Sequence, residues 1–218
     1  MEKPFRAALI APPGLQIIET LRHDAGEGPV RGDLHLERLR RTCARLGFAY
    51  SGDAVMAALS RVPRDTVRRV RLTVDAAGRV AMTSTPLGAN AALWRVALSP
   101  VRLSSQDPWL ALKTTQRAIY DTARASLPRG LDERVFLNER DELCEGTITN
   151  LFLVRDGTLL TPAAQSGLLP GVLRASLLAE GRAREAVLTL RDLRAATARN
   201  GLFMGNSARG LIRASLIG

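Results

Sequence analysis

Apolar and polar residues alternate in twos along several short segments joined by turn signals, and this pattern constrains the fold more than any other feature of the chain. Residues 66–85 alternate on both sides of a turn at 75–78, which predicts a β-hairpin. Residues 6–22 alternate around a Pro-Pro-Gly turn at 12–14, which predicts a second hairpin. The chain is therefore expected to build antiparallel sheet.

Helical patterns are interleaved with these strands. Leu39, Cys43 and Leu46 recur at helical spacing, so residues 33–48 predict a helix that Asp33 can cap. Further helices are predicted at 53–62, 114–127 and 170–180, and further strands at 94–98, 133–138, 147–154, 158–161, 185–190, 201–206 and 210–217. This mixture of helices and strands indicates an α/β (α+β) chain.

Length and composition bound the number of domains. With 218 residues, 46% of them hydrophobic, the chain can bury one large core or two small ones. The segment 99–108 combines serines with two prolines and is typical of a linker. We therefore expect a smaller domain at 1–105, a larger one at 106–218, and a ligand site in the cleft between them.

Several classes of protein are not expected from this sequence. No apolar run approaches the roughly 20 residues of a membrane span, and the N-terminus lacks a signal-peptide pattern. Neither membrane association nor secretion is therefore expected, and a cytoplasmic location is predicted. Cys43 and Cys144 are too few for a disulfide framework and lack metal-site spacing, so no metal is predicted.

The charge of the chain raises the question of nucleic-acid binding. The formal net charge is +10 and the pI is about 11.1. The basic residues are spread along amphipathic patterns, and aromatic residues make up only 4% of the chain, too few for base-stacking surfaces. We expect no nucleic-acid partner and favour a basic cleft that collects anionic small molecules.

Lysine is almost absent. Of 31 basic residues only Lys3 and Lys113 are lysines. Arginine can replace lysine wherever positive charge suffices, but a guanidinium stays protonated and cannot attack a carbonyl. Lys113 is therefore a candidate nucleophile, and the alternative is a lysine retained by chance on a solvated loop.

Five motifs follow one another in a characteristic order: His-Leu-Glu-Arg-Leu at 35–39, Lys-Thr-Thr-Gln-Arg at 113–117, Leu-Cys-Glu-Gly-Thr-Ile-Thr-Asn at 143–150, Leu-Pro-Gly-Val-Leu-Arg at 169–174 and Gly-Asn-Ser-Ala-Arg-Gly-Leu at 205–211. This succession resembles the class IV aminotransferase-like family, the fold-type IV enzymes that use pyridoxal 5′-phosphate (PLP). The family includes branched-chain and D-amino-acid aminotransferases and aminodeoxychorismate lyase. The tract around Lys113 is most similar to the lyase branch.

The resemblance implies a two-domain fold with PLP in the cleft, a homodimer, and roles for individual residues. Lys113 would bind the cofactor covalently and shuttle a substrate proton. Glu145 would lie beside the pyridine nitrogen and keep it protonated. Arg38 would bind the phosphate.

Four further residues would complete the phosphate site, and two arginines are candidates for binding the substrate. The amides of Val172 and Leu173 lie at a predicted helix N-terminus, which suits an anion. Asn206 and Ser207 could close the phosphate site, or form a simple turn. The substrate carboxylates could pair with either of two residues, Arg117 or Arg209.

Other residues near the motifs leave alternatives open. His35 could orient a loop, pack, or act in catalysis. Tyr120 could reach the cofactor's phenolic oxygen or pack in the core. The family's tract Gly-Asp-Gly-Val-Phe-Glu-Thr is represented only by Gln-Ile-Ile-Glu-Thr at 16–20, which leaves the substrate-side wall of the pocket undefined.

The resemblance favours a 4-amino-4-deoxychorismate lyase, which acts on an anionic amine and yields pyruvate and the folate precursor 4-aminobenzoate. The alternative within the family is an aminotransferase for branched-chain or D-amino acids. A third reading is a binding protein that retains the fold without the chemistry, or a basic nucleic-acid module.

Overall fold

Helices and strands alternate through the whole part of the chain that the structure describes. The structure, a computed structural model, describes residues 9–217. Within these residues the chain forms twelve strands and five α-helices, arranged around a four-stranded and an eight-stranded sheet. The predicted mixture of helices and strands is confirmed. In the same range no helix is long and apolar enough to cross a membrane.

The smaller sheet is antiparallel and is covered by two helices. Its strands lie in the order β2 (Gly28–Pro29), β1 (Ile17–Asp24), β3 (Arg68–Val74) and β4 (Val80–Pro86). The helices are α1 (Gly32–Leu46) and α2 (Gly52–Leu59). Leu21 and Val70 face each other across β1 and β3 and pack with Leu39 of α1 in one buried cluster. Burial of the apolar face of α1 holds that helix on the sheet.

The larger sheet closes on itself. Its strands lie in the order β10 (Ala183–Ala186), β9 (Thr158–Pro162), β8 (Asn150–Arg155), β11 (Leu202–Asn206), β12 (Gly210–Leu216), β5 (Trp94–Leu98), β6 (Glu133–Leu137) and β7 (Leu143–Gly146). An additional pairing joins β7 to β8 and places Glu145 opposite Asn150. The closing strands therefore bring two polar side chains together.

Three helices accompany the larger sheet: α3 (Ala118–Ala125), α4 (Val172–Ala179) and α5 (Leu190–Ala198). Leu193 of α5 is buried in the same cluster as Leu151 and Leu153 of β8. The strand β5 belongs to this sheet although it precedes residue 105. The domain division near residue 105 stays a prediction.

The helix predicted at 114–127 begins later than expected, at Ala118. The residues before it extend along the start of β1: the Ile18 amide donates to the Lys113 carbonyl at 2.8 Å, and the Thr115 amide donates to the Gln16 carbonyl at 2.9 Å. These hydrogen bonds satisfy the backbone in an extended conformation, so the helix starts only after them.

The first predicted hairpin is wrong within the described residues. Residues 9–16 contain no strand, residues 6–8 lie outside the described part of the chain, and β1 pairs instead with β2 and β3. The predicted cap of α1 is also wrong: the N-cap is Arg31, without a side-chain cap, and Asp33 lies in the first turn.

Other boundaries also differ from the predictions. The predicted strand at 185–190 is wrong at its end, because β10 ends at Ala186 and α5 begins at Leu190, where Thr189 and Asp192 form a capping box. Helix α4 begins at Val172, with Gly171 as its N-cap. The predicted strand at 147–154 begins at Asn150, after a separate turn.

The core of the larger sheet can be tested at two adjacent positions of β8. Leu153 is 2% exposed and Val154 is 37% exposed. We expect Leu153→Ala to lower the free energy of unfolding by about 2–5 kcal/mol, because it leaves a cavity. Val154→Ala should cost less than about 1 kcal/mol. Urea denaturation of both variants measures the difference, and equal losses would contradict the described core.

Candidate functional site

Lys113 lies where the two sheets meet, and its backbone carbonyl accepts a hydrogen bond from Ile18 at the start of β1. Its side chain is half-buried, and within residues 9–217 its amine makes no hydrogen bond. Burial, followed by the positive charges of Arg38 and Arg117, lowers the pKa of Lys113 from 10.5 to about 8. A larger share of this amine is therefore unprotonated near neutral pH than of an ordinary lysine, and an unprotonated amine can attack a carbonyl.

Glu145 is buried on β7, and its two oxygens have different surroundings. Oε1 accepts the Tyr120 hydroxyl at 2.7 Å and the Leu169 amide at 3.0 Å. Oε2 accepts only a long hydrogen bond, from Asn150 Nδ2 at 3.4 Å. Burial raises the pKa of Glu145 to about 7, against the lowering effects of the hydrogen bonds from Tyr120 and Leu169 and of the charges of Lys113 and Arg117. Oε2 is thus the oxygen that can accept a further donor.

A second buried carboxylate, Glu19 on β1, binds two side chains of α1. Arg38 donates Nε to Oε1 at 2.8 Å and Nη2 to Oε2 at 2.6 Å, and His35 Nδ1 lies 2.6 Å from Oε2. Burial alone would raise the pKa of Glu19, but the charge of Arg38 and these hydrogen bonds lower it to about 2. Glu19 is therefore ionised at neutral pH and orients the guanidinium of Arg38.

His35 extends this cluster to the larger sheet. Its Nε2 lies 2.8 Å from the hydroxyl oxygen of Ser207, in the turn between β11 and β12. Burial lowers the pKa of His35, so the ring is neutral near pH 7. Because ionised Glu19 needs a donor, we assign the proton to Nδ1, and Nε2 then accepts the Ser207 hydroxyl. Of the three possibilities for His35, the geometry matches orientation of a turn.

The N-terminus of α4 approaches the same region. Its N-cap, Gly171, offers no side-chain cap, so the amides of Val172 and Leu173 are not taken by a capping side chain. A Cβ atom at Gly171 would collide with Asn150 Oδ1, so a larger residue there would displace the Asn150 side chain. Asn150 also donates to the Leu169 carbonyl at 2.9 Å. The start of this helix is thereby held next to Glu145.

The turn at 206–209 is built by Asn206. Its Oδ1 accepts the amides of Ala208 and Arg209 at 3.1 and 2.9 Å, and its Nδ2 donates to the Ile148 carbonyl at 3.2 Å. These bonds engage both polar atoms of the Asn206 side chain. The Arg209 side chain points to Asn90, to which Nη1 donates at 2.9 Å.

Arg117 binds a second turn, 147–149, whose Ile148 carbonyl is also bound by Asn206. Its Nη2 donates to the Thr147 carbonyl at 2.8 Å, and its Nε donates to Asp121 at 2.8 Å. Fully buried Glu133 fixes this turn through the amides of Thr147 and Ile148 at 3.0 and 3.2 Å. These backbone bonds to Glu133 explain why the predicted strand begins only after residue 149.

The structure therefore brings together most of the predicted site residues: Lys113, Glu145, Arg38, Arg117, Ser207, Val172 and Leu173. Arg209 is directed away, toward Asn90, and Asn206 serves the backbone of its turn. What each residue binds stays a prediction.

The sequence did not identify Glu19, Asn150 and Glu133 as residues of the site. It named Tyr120 as a candidate but did not predict its contact with Glu145. One signal could have revealed Glu19. It occupies the same face of β1 as Ile17 and Leu21, and a charged residue on the inward face of a strand indicates a buried partner. No local pattern identifies the partners of the other three residues.

Comparisons with known proteins test the family and the fold. A family model described as amino-transferase class IV matches residues 16–217. A Schizosaccharomyces pombe protein named "Putative aminodeoxychorismate lyase" is 30% identical over 159 residues, which cover 69% of this chain and 68% of that protein.

Two solved structures are similar over nearly all of the chain. One is titled "Putative amino-acid aminotransferase" from Mesorhizobium loti, with 42% identity, a TM-score of 0.88 and coverage of 93% of this chain and 100% of that one. The other is 4-amino-4-deoxychorismate lyase from Pseudomonas aeruginosa, with 28% identity, a TM-score of 0.75 and coverage of 92% and 83%.

The Glu19 cluster predicts a specific pH dependence of stability. The pKa of Glu19 is about 2 in the folded chain and 4.5 in its ordinary state. Its ionisation therefore stabilises the fold above about pH 4.5, and this contribution is lost as the pH falls toward 2. Glu19→Gln should lower stability by about 3–5 kcal/mol at neutral pH, because Arg38 stays buried without its counter-charge.

Urea denaturation between about pH 2 and 7 measures both effects. The difference between wild type and Glu19→Gln should shrink as the pH falls. Glu37→Gln is the matched control, since Glu37 forms an exposed ion pair with Arg40 on the same helix. A constant difference at all pH values would contradict an ionised Glu19.

Lys113 should react with an acylating reagent at unusually low pH. Its lowered pKa predicts half-maximal labelling near pH 8 in the folded protein and near 10.5 in urea. Mass spectrometry can follow the modified peptide, because Lys3 is the only other lysine. The same midpoint in both states would show that the fold does not lower the pKa of Lys113.

Proposed function

This chain belongs to the class IV amino-transferase family, whose enzymes use PLP, and from that membership we propose that it is a 4-amino-4-deoxychorismate lyase. The expected resemblance and the fold-type IV architecture are both confirmed. The specific reaction is the proposal. It would convert aminodeoxychorismate to 4-aminobenzoate and pyruvate.

The observation that carries the proposal is the state of Lys113. Its amine has a lowered pKa, makes no hydrogen bond within residues 9–217 and interacts electrostatically with the charge of Glu145. An ordinary surface lysine would have neither the burial nor the neighbouring cations. These properties suit an amine that forms a covalent bond with an aldehyde and exchanges protons.

The surrounding residues fit PLP. Arg38 Nη1 has no hydrogen-bond partner among residues 9–217, and it would bind the phosphate together with the amides of Val172 and Leu173. The Ser207 amide would add a further donor, because its hydroxyl is engaged by His35. Together these four donors would offset the charge of a phosphate group.

Glu145 would hold a proton at the pyridine nitrogen. Its Oε2 has only one long hydrogen bond, so it can accept the N–H of a protonated ring. When bound, the cofactor withdraws electrons from the bonds next to the substrate amine. A carboxylate at the ring nitrogen strengthens that effect because it favours the protonated ring.

Lys113 would move the proton in the reaction. Its Nζ would take the proton from the ring carbon that carries the substrate amine. The bond between the ring and the enolpyruvyl oxygen then breaks, its electron pair leaves with that oxygen, and the enolpyruvate takes up a proton to give pyruvate. The six-membered ring becomes aromatic as the bond breaks, which favours elimination.

Arg117 is the better placed of the two candidate arginines for a substrate carboxylate. Its charge acts on both Lys113 and Glu145. Its guanidinium is held by Thr147 and Asp121, so its position is set before substrate binds. Arg209 is held by Asn90 and would contribute only if that contact opened.

The choice of lyase follows from the tract around Lys113 and from two similar proteins named as aminodeoxychorismate lyases. One observation favours a second candidate, an amino-acid aminotransferase: the solved structure with 42% identity carries that title. The two activities differ in the fate of the substrate. A transferase would pass the amino group to the cofactor and release a keto acid.

The decisive experiment supplies purified protein with PLP and aminodeoxychorismate. We expect pyruvate and 4-aminobenzoate in equal amounts, and borohydride treatment should attach the cofactor to Lys113. Lys113→Ala should lower the rate by at least about a thousandfold, since a transferring amine and its covalent bond are both lost. Lys3→Arg, at the only other lysine, is the matched control.

Two outcomes would reject the lyase. If the cofactor binds at Lys113 but no pyruvate forms from aminodeoxychorismate, the lyase activity is rejected. Amino-group transfer from branched-chain or D-amino acids would then establish the transferase. Absence of cofactor binding would leave a binding protein.

We also propose a homodimer, by family resemblance, which sedimentation can test, and a cytoplasmic location.

A further inference from the structure

Tyr120 makes a hydrogen bond that the proposed reaction does not use. Its hydroxyl lies 2.7 Å from Glu145 Oε1, and the side chain is buried. Phe136 packs against the ring edge-on, with centroids 5.3 Å apart, and the guanidinium of Arg117 lies 5.4 Å from the ring centroid. The ring is thus held on two sides and its hydroxyl has a fixed direction.

The position of the hydroxyl matters because Glu145 is poorly solvated. Burial is the largest influence on this carboxyl and favours its neutral form. The groups opposing burial are the Tyr120 hydroxyl, the Leu169 amide, and the charges of Lys113 and Arg117. Cys144, the adjacent residue, is a buried neutral thiol whose pKa is raised to about 12. Among residues 9–217 two uncharged side chains donate to Glu145, and the hydrogen bond from Tyr120, at 2.7 Å, is much shorter than the one from Asn150, at 3.4 Å.

We propose that Tyr120 is a positioning residue that favours the ionised form of Glu145, so that more negative charge faces the ring nitrogen of the cofactor near neutral pH. The role toward the cofactor rests on the proposed function, whereas the effect on Glu145 does not. Burial raises the pKa of Tyr120 itself, and the nearby charge of Glu145 adds to this, so the phenol stays a donor throughout the neutral range.

Tyr120→Phe removes the hydroxyl and leaves the ring contacts with Phe136 and Arg117. Without the donor, the ionised form of Glu145 loses a charge-assisted hydrogen bond. The midpoint of the Glu145 titration should therefore rise by about one pH unit or more, from a value near 7. Carbon NMR of labelled glutamate in the full chain without cofactor measures it, and Glu145→Gln identifies the signal.

Tyr50→Phe is the matched control, because Tyr50 is the only other tyrosine and lies in the cluster of the smaller sheet. It should leave the midpoint unchanged. An unchanged midpoint in folded Tyr120→Phe would overturn the proposal and make Tyr120 a packing residue.

A second measurement does not depend on whether Tyr120→Phe folds. In a Tyr50→Phe background, replacing tyrosine by 3-fluorotyrosine labels position 120 alone and makes its hydroxyl a stronger donor. The Glu145 midpoint should then fall, the opposite of the change in Tyr120→Phe. A midpoint that stays constant or rises would overturn the proposal.

The affinity for PLP separates a positioning role from a structural one. At about pH 7, Tyr120→Phe should weaken PLP binding several-fold, because more Glu145 is neutral. By about pH 9.5 Glu145 is ionised in both proteins. The ratio of the PLP dissociation constant of Tyr120→Phe to that of the wild type should then approach one. A ratio independent of pH would overturn the proposal. If neither protein bound PLP, the proposed function would fail, and the Glu145 midpoints would still decide the role of Tyr120.

Discussion

The relative placement of the two sheets depends on the hydrogen bonds that the buried carboxylate of Glu19 accepts. This carboxylate lies on a strand of the smaller sheet and binds Arg38 and His35 of α1, and His35 continues to Ser207 in the larger sheet. A buried carboxylate without these donors would cost several kcal/mol, roughly, in an apolar interior. These hydrogen bonds offset that cost, and they also set the direction of the Arg38 guanidinium.

The site concentrates charges that a stable core would exclude. Lys113 is placed near two arginines, which disfavours its protonated form, while Glu145 is buried enough to approach neutrality at pH 7. Both departures from ordinary pKa values oppose folding and favour chemistry. The closed larger sheet and the buried cluster around Leu153 supply the stability that tolerates them.

The fold was predictable where local pattern and tertiary environment agree. The hairpin at 66–85 appears as β3 and β4, and the strand at 94–98 is found at the same residues. Prediction failed where a distant segment competed. The residues before Ala118 have helical character but pair with the start of β1 instead, and the strand predicted at 185–190 runs into Leu190, where α5 begins.

The sequence by itself determined which residue types were available: one lysine in a motif, a following glutamate, and an arginine on an amphipathic helix. The tertiary structure alone decided their state. Glu145 is hydrogen-bonded to Tyr120, which lies 25 positions away in the sequence, and His35 is hydrogen-bonded to Ser207, which lies 172 positions away. Hydrogen-bond partners and pKa values depend on burial and on charges brought near by packing, and neither is encoded in the periodicity of a single segment.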